Sequence, residues 1–235
     1  MHAIRIVLCR PSHPGNIGAA ARAMKAMGLS DLRLVAPERY PAPEAEWLAT
    51  NAVDVLHSAR LHSSLEEAIK DCVAAFAFSA RPREWSPQVL EVREAARRAI
   101  EIGAPVAFVF GNETAGLTNE EMFACQFLVH IPASAEFSSL NLAQAVQVAA
   151  YEARMAGGGG VPAGRAEKLA TVEDIEGLYA HLEEAATASA FYVPGSGSRL
   201  RERWRRLFSR VPVLEREEVN ILRGLLKALL QKRNS

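Results

Sequence analysis

The chain of 235 residues lacks most of what marks a secreted, membrane-bound or metal-dependent protein. It has three cysteines, Cys9, Cys72 and Cys125, which are odd in number, widely spaced and set in apolar or helical surroundings. That argues against a disulfide frame or a thiolate metal site and predicts reduced core thiols. None stands in a turn or beside a base, as a catalytic thiolate would. Six histidines are scattered without ligand spacing, so no metal is expected. Apolar runs such as Val73–Phe78 and Val106–Phe110 are strand-sized and too short for a bilayer, so no membrane contact is expected. Met1-His2-Ala3-Ile4-Arg5 carries no basic region ahead of a long apolar stretch, which predicts a cytoplasmic protein. No Gly-Lys-Ser/Thr of a Walker loop occurs, and nothing repeats.

What is present is an ordinary globular composition, 49% hydrophobic and 23% charged. The formal net charge of zero hides an asymmetry. Residues 199–235 hold eleven Lys and Arg against four Glu, a net +7, so residues 1–198 carry −7. Arg199, Arg201, Arg203, Arg205, Arg206 and Arg210 open this basic stretch, and arginine outnumbers lysine nine to two across it. A solvated helical face is the plain reading of a basic run, but the planar guanidinium fork suits phosphate.

Hydrophobic spacing lays out strands at Ile4–Cys9, Leu32–Val35, Ala74–Phe78, Val106–Phe110 and Phe127–Ile131. Helices are predicted over Asn16–Met27, Ser64–Lys70, Pro87–Ile100, from Thr118, and over Leu142–Met155. Ser64 and Thr118 each open capping-box spacing, and Gly28 is a helix stop. Leu142–Met155 is apolar on nearly every side, so it should be buried or packed on a partner chain. Strands alternating with helices predict a doubly wound α/β domain with a mostly parallel sheet over residues 1–156. A Gly/Pro-containing linker at 157–170 follows, beginning Gly157–Gly160. A helical extension at 171–235 comes next, with helices over Thr171–Ala190, Arg199–Ser209 and Leu214–Lys232 and a break at 193–198. Val219, Leu222, Leu225, Leu226, Leu229 and Leu230 give the last helix an apolar stripe.

Three loops could carry chemistry. Phe110-Gly111-Asn112-Glu113-Thr114-Ala115-Gly116-Leu117 leaves a buried strand, the place where α/β proteins bind ligands. Glu113 stands where a dinucleotide fingerprint needs its middle glycine, and a carboxylate there repels pyrophosphate. S-adenosylmethionine, with a cationic sulfonium, fits better than NAD or ATP; an ordinary turn with Gly116 at positive φ is the plain alternative. Ser134–Asn141 ends in Ser138-Ser139-Leu140-Asn141, which alone reads as an N-cap cluster. Pro11–Gly18 leads into a small-residue helix whose only charges are Arg22 and Lys25 and whose first turn could seat a phosphate.

Taken together the loops resemble the three motifs of SPOUT RNA methyltransferases. Asn16-Ile-Gly-Ala-Ala-Ala-Arg22-Ala-Met is similar to the first, Phe110–Leu117 to the second, and Ile131-Pro through Ser138-Ser-Leu-Asn141-Leu-Ala to the third. The likeness covers residues 4–156. It returns over Arg203–Gln231, where Arg205-Arg-Leu-Phe and Asn220-Ile-Leu-Arg-Gly resemble the tail of the tRNA 2′-O-methyltransferase branch. The resemblance implies a deep trefoil knot, an exception to unthreaded connections, an obligate homodimer and bound S-adenosyl-L-methionine. It implies a tRNA substrate, methylated on the ribose of nucleotide 32, cytidine or uridine. Mapped by position, Arg22, Asn16, Glu113, Ser139 and Asn141 would form the catalytic set. Ser79, Ala80, Gly111, Asn112, Ile131, Ser138, Ser139 and Leu140 would hold the cofactor. Arg22, Lys25 and the arginines at 199, 201, 203, 205, 206 and 210 would grip RNA, with no DNA partner expected.

A ribose hydroxyl becomes a good nucleophile only as its proton leaves. Arginine as a class is too basic to take that proton while charged. Phosphate binding and stabilisation of alkoxide charge are the safer roles for Arg22, which leaves the general base open. Competing readings are a SPOUT methyltransferase of another tRNA position or of rRNA, and a non-catalytic RNA-binding protein. A nucleotide-dependent dehydrogenase is disfavoured by Glu113.

Overall fold

The computed structural model describes residues 4–80, 88–134, 136, 138–158, 168–194, 199–211 and 213–233. Seven strands run β1 (Ile4–Cys9), β2 (Asp31–Val35), β3 (Arg60–His62), β4 (Ala74–Phe78), β5 (Gln88–Glu91), β6 (Val106–Phe110) and β7 (Phe127–His130). They form one sheet in the order β3-β2-β1-β6-β4-β7-β5. Every pairing is parallel, which completes the mostly parallel sheet expected. β4 and β6, the two continuous apolar runs, are buried throughout, as strands covered on both faces must be.

Period-two alternation sorts their side chains. Phe76 lies in register with Phe108 and Phe127, and Phe78 with Phe110. Ring centroids stand 4.7 Å apart for Phe76–Phe127 and 4.4 Å for Phe78–Phe110, and such stacked pairs each add about 0.5–1.5 kcal/mol beyond area burial. This face packs on α1 (Pro14–Ala26), α2 (Pro43–Ala49), α3 (Val53–His57), α5 (Val92–Ile102) and α7 (Leu142–Ala156). The opposite face, with Ala75, Ala77, Ala107 and Val109, meets α4 (Leu65–Ile69) and α6 (Asn119–Phe123). Gly18 is where α1 and α2 touch: a Cβ there would lie 1.9 Å from the Ala45 carbonyl oxygen.

The capping signals hold in part and in full. Ser64 accepts from the Glu67 N–H, and Thr118 forms a complete reciprocal box with Glu121. β3, α2 and α3 fall where no element is expected, and one expected element starts elsewhere. The helix expected from about Pro87 begins only at Val92, because Gln88–Glu91 adds to the free edge of β7, with Leu90 buried and Val89 exposed. Pro87 itself lies outside the described residues.

Beyond α7 come α8 (Val172–Ala188), α9 (Leu200–Phe208) and α10 (Arg216–Arg233). Thr171 caps α8 through a reciprocal box with Asp174. Residues 159–167 of the expected linker and 195–198 of the expected break lie outside the described residues. Ile175, Leu178, Tyr179, Leu214 and Val219 form a small core of their own, with Trp204, Phe208 and Leu226 at its margin. Val172 joins this unit to the main domain, donating its N–H to the Cys72 carbonyl at 2.7 Å. The α10 stripe is only half used: Leu222, Leu225 and Leu229 face solvent.

Candidate active site

β4, β6 and β7 are neighbours, so the segments leaving their carboxyl ends emerge side by side, where parallel sheets bind ligands. They enclose one cleft open to solvent, a concave place of the kind where small-molecule sites form. Phe78, Phe110, Leu117, Val129 and Leu142 give it apolar walls. Ser79, Ala80, Gly111, Asn112, Ile131, Ser138, Ser139 and Leu140 all line it, so the fold brings together the whole set of expected cofactor residues. Among the described residues of the lining, Glu113 is the one charged residue; residues 81–87, which follow Ala80, lie outside the described residues.

The glycines of the second loop have geometric work. A Cβ on Gly111 would sit 2.2 Å from the Gly116 carbonyl carbon, so only glycine lets the loop fold back on itself. Gly116 takes a left-handed φ of 69°. Asn112 shapes the turn: its Oδ1 accepts from the N–H groups of Thr114 and Ala115 at 2.9 and 3.0 Å.

Glu113 joins this loop to the one ahead of α1. Its Oε2 accepts from the Ser12 N–H at 2.9 Å and the Ser12 hydroxyl at 2.8 Å. Its Oε1 accepts from the His13 N–H at 3.2 Å and Asn16 Nδ2 at 2.9 Å. Burial alone would raise this carboxyl, but the donors from Asn16 and Ser12 outweigh it and hold it at about 2. A carboxylate so placed is an anchor and a poor proton acceptor. Asn141 Nδ2 donates to Asn16 Oδ1 at 3.0 Å, while Asn141 Oδ1 caps α7 through the Ala143 N–H. Asn16, Glu113 and Asn141 therefore form one hydrogen-bonded chain at the rim, beside Ser139 in the cleft.

Arg22 stands apart. It is exposed on α1, outside the cleft lining, and has no ion pair among the described residues. Lys25 is held by Asp54 at 2.7 Å and the Asn51 carbonyl at 2.8 Å. Arg205 turns inward, gripping Glu176 and the Phe123 carbonyl beneath the Tyr179 ring, and Arg201 reaches the same Glu176. Arg199, Arg203, Arg206 and Arg210 present exposed side chains on and around α9. Sequence reasoning passed over Ser12, whose hydroxyl gives no signal of its own and meets Glu113 only through the fold. The three thiols are buried, and burial pushes each of them up, Cys72 to about 11, so they stay protonated. Among the described residues no His/Cys/Asp/Glu group could hold a metal, and no helix is long and apolar enough to cross a membrane.

A doubly wound parallel sheet with a glycine-shaped cleft over the carboxyl ends of its inner strands defines an α/β protein shaped for a small ligand. The chain belongs to the SpoU rRNA Methylase family, whose model matches residues 3–151. A second model, described as the tRNA methyltransferase TrmJ C-terminal domain, matches residues 173–235. A Pseudomonas aeruginosa protein named tRNA (cytidine/uridine/adenosine-2′-O-)-methyltransferase TrmJ is 47% identical over 238 residues, covering 95% of this chain and 92% of its own. The crystal structure of TrmJ from Z. mobilis ZM4 superposes with a TM-score of 0.84 at 35% identity, over 96% of this chain and 98% of that one. The SpoU methyltransferase AviRb from Streptomyces viridochromogenes, in complex with AdoMet, gives a TM-score of 0.53 at 25% identity, over 66% of this chain and 58% of that one.

Proposed function

We propose that this chain methylates a ribose 2′-hydroxyl of tRNA, at the cytidine or uridine of nucleotide 32, using S-adenosylmethionine. The observation that carries the reading is the convergence of the loops after β4, β6 and β7 on one cleft, edged by the Asn16–Glu113–Asn141 chain. The family description names rRNA, whereas the P. aeruginosa relative, alike from end to end, names tRNA. The match of residues 173–235 to the TrmJ C-terminal domain favours tRNA. DNA is no substrate, since it lacks the reacting hydroxyl. The cytoplasm is the compartment this reading requires.

The cleft fits the cofactor. Its apolar walls suit an adenine ring, and Ser79, Ser138, Ser139 and the backbone of Gly111 and Leu140 would supply polar contacts. Among the described lining residues no lysine or arginine faces the cleft, and the one carboxylate, Glu113, tolerates a sulfonium. When bound, S-adenosylmethionine supplies an electrophilic methyl group. The chain's own residues position the hydroxyl: Glu113 holds Asn16, Asn16 in turn holds Asn141 at the rim, and such preorganisation lowers the barrier. Arg22 would bind a phosphate and stabilise negative charge on the ribose oxygen as its proton leaves.

Two features support the homodimer. Arg22 lies outside its own chain's cleft, and α7 leaves Tyr151 and Met155 exposed although Leu142, Val146, Ala149, Ala150 and Ala153 of the same helix are buried. The non-sequential order β1-β6-β4-β7-β5 suits the trefoil knot of the SPOUT fold. We take residues 1–156 as the methyltransferase domain, 157–170 as linker and 171–235 as an RNA-gripping extension.

Replacing Arg203, Arg206 and Arg210 together by Gln should weaken tRNA binding. It should also flatten the slope of log K against log salt by about 2–3, since each neutralised phosphate contributes about 0.7–0.9. An unchanged slope assigns α9 to protein packing. The position is tested with tRNA transcripts carrying a single 2′-deoxynucleotide. Deoxy substitution at nucleotide 32 should abolish methylation, and continued methylation of that transcript overturns the assignment.

A further inference from the structure

We infer that Arg10, which lies behind the cleft, positions the cofactor loop for binding. The inference rests on reading the cleft as the S-adenosylmethionine site. Arg10 closes β1 in the left-handed region, with φ of 49°, and its N–H donates to the Val35 carbonyl at 2.8 Å. From there it holds the loop at both ends. Its Nε and Nη2 donate to the two carboxylate oxygens of Glu121 at 3.0 and 2.7 Å, and Nη2 also donates to the Gly116 carbonyl at 3.2 Å. The Arg10 carbonyl accepts from Asn112 Nδ2 at 2.8 Å. Asn112 in turn fixes Thr114 and Ala115, and Glu121 accepts from the Thr118 N–H at 2.7 Å.

Asn112, Thr114, Ala115, Gly116 and Thr118 therefore each stand one or two hydrogen bonds from Arg10. Four of them line the cleft, while Arg10 does not. It touches the loop from behind and acts through it. The Arg10–Glu121 pair is half-shielded, with side-chain exposures of 33% and 13%, so its geometry is held more firmly than that of a surface ion pair. The planar fork takes both Glu121 oxygens from two nitrogens and a third acceptor besides; lysine keeps the charge and loses that fixed geometry. A bare structural ion pair would show itself in stability alone, whereas a positioning residue separates the two substrates.

The test uses the full-length protein, with S-adenosylmethionine affinity from calorimetry and steady-state kinetics on tRNA. Arg10→Gln should raise Kd and KM for S-adenosylmethionine about tenfold or more, the worth of one charge-assisted hydrogen bond. KM for tRNA should stay within about twofold. Arg10→Lys should recover part of the loss, and Arg10→Gln combined with Glu121→Gln should be no worse than Arg10→Gln alone. Unchanged cofactor affinity in Arg10→Gln, or equal losses for cofactor and tRNA, overturns the inference. If Arg10→Gln does not fold, Glu121→Gln decides: a raised cofactor Kd supports the role and an unaltered one ends it. Failure of the unaltered protein to bind S-adenosylmethionine would instead overturn the reading of the cleft, and the inference with it.

Discussion

Arg22→Ala should cut methyl transfer by about 10²–10³-fold or more, the loss seen when one group stabilising a developing oxyanion is removed. S-adenosylmethionine should still bind with nearly unaltered affinity, because Arg22 does not line the cleft and is exposed on α1. The fold should also survive, since Arg22 holds no ion pair among the described residues. Single-turnover transfer and calorimetry separate the two quantities. Equal loss of transfer and cofactor affinity would return Arg22 to a structural role and leave the reaction without its cation.

Glu113→Ala carries the second large effect. The substitution leaves the Ser12 N–H, the Ser12 hydroxyl, the His13 N–H and Asn16 Nδ2 without their acceptor. Unpaired donors in partly buried surroundings cost about 1 kcal/mol or more each, with water offsetting some of it. A net loss of about 2 kcal/mol and near-complete loss of activity are expected, as the two loops come apart. The same residue predicts a pH dependence. Its carboxyl sits at about 2 in the folded protein, below the ordinary value of about 4.3 for an unfolded chain. The stabilisation is thus fully present above the unfolded value and is lost as pH falls from there towards 2. Allowing for partial solvent screening, it amounts to about 1–2 kcal/mol. Urea unfolding of both proteins between pH 7 and pH 2.5 checks this: the unaltered protein should lose more stability than Glu113→Ala below pH 4.5. Parallel curves would mean that the four donors do not hold the carboxylate.

Much of the fold was legible because burial leaves a plain mark. Ala74–Phe78 and Val106–Phe110 read as inner strands since both faces are covered, and Thr118-x-x-Glu121 read as a cap since its chemistry is local. The edge strands were not legible. Arg60–His62 is three residues long and mostly exposed, and Gln88–Glu91 runs straight into a helix, so no period develops in either. The loops that line the cleft were visible through their motifs, because glycine, asparagine and serine at fixed places have backbone work to do. Arg10 and Ser12 were not, because each meets its partner about a hundred residues away. Charge content likewise does not show which arginines pair within the chain: Arg205 looks like its neighbours in sequence but grips Glu176. The α10 stripe predicted a helix and could not tell which of its leucines the single chain would cover.

The central claim is ribose methylation of tRNA, and the most direct measurement is transfer from labelled S-adenosylmethionine to a total tRNA pool, followed by alkaline hydrolysis. A 2′-O-methyl group blocks cleavage at its own nucleotide. The label should therefore appear in alkali-resistant dinucleotides that map to nucleotide 32. Label recovered on a base, in alkali-sensitive mononucleotides, or in no tRNA at all would contradict the account.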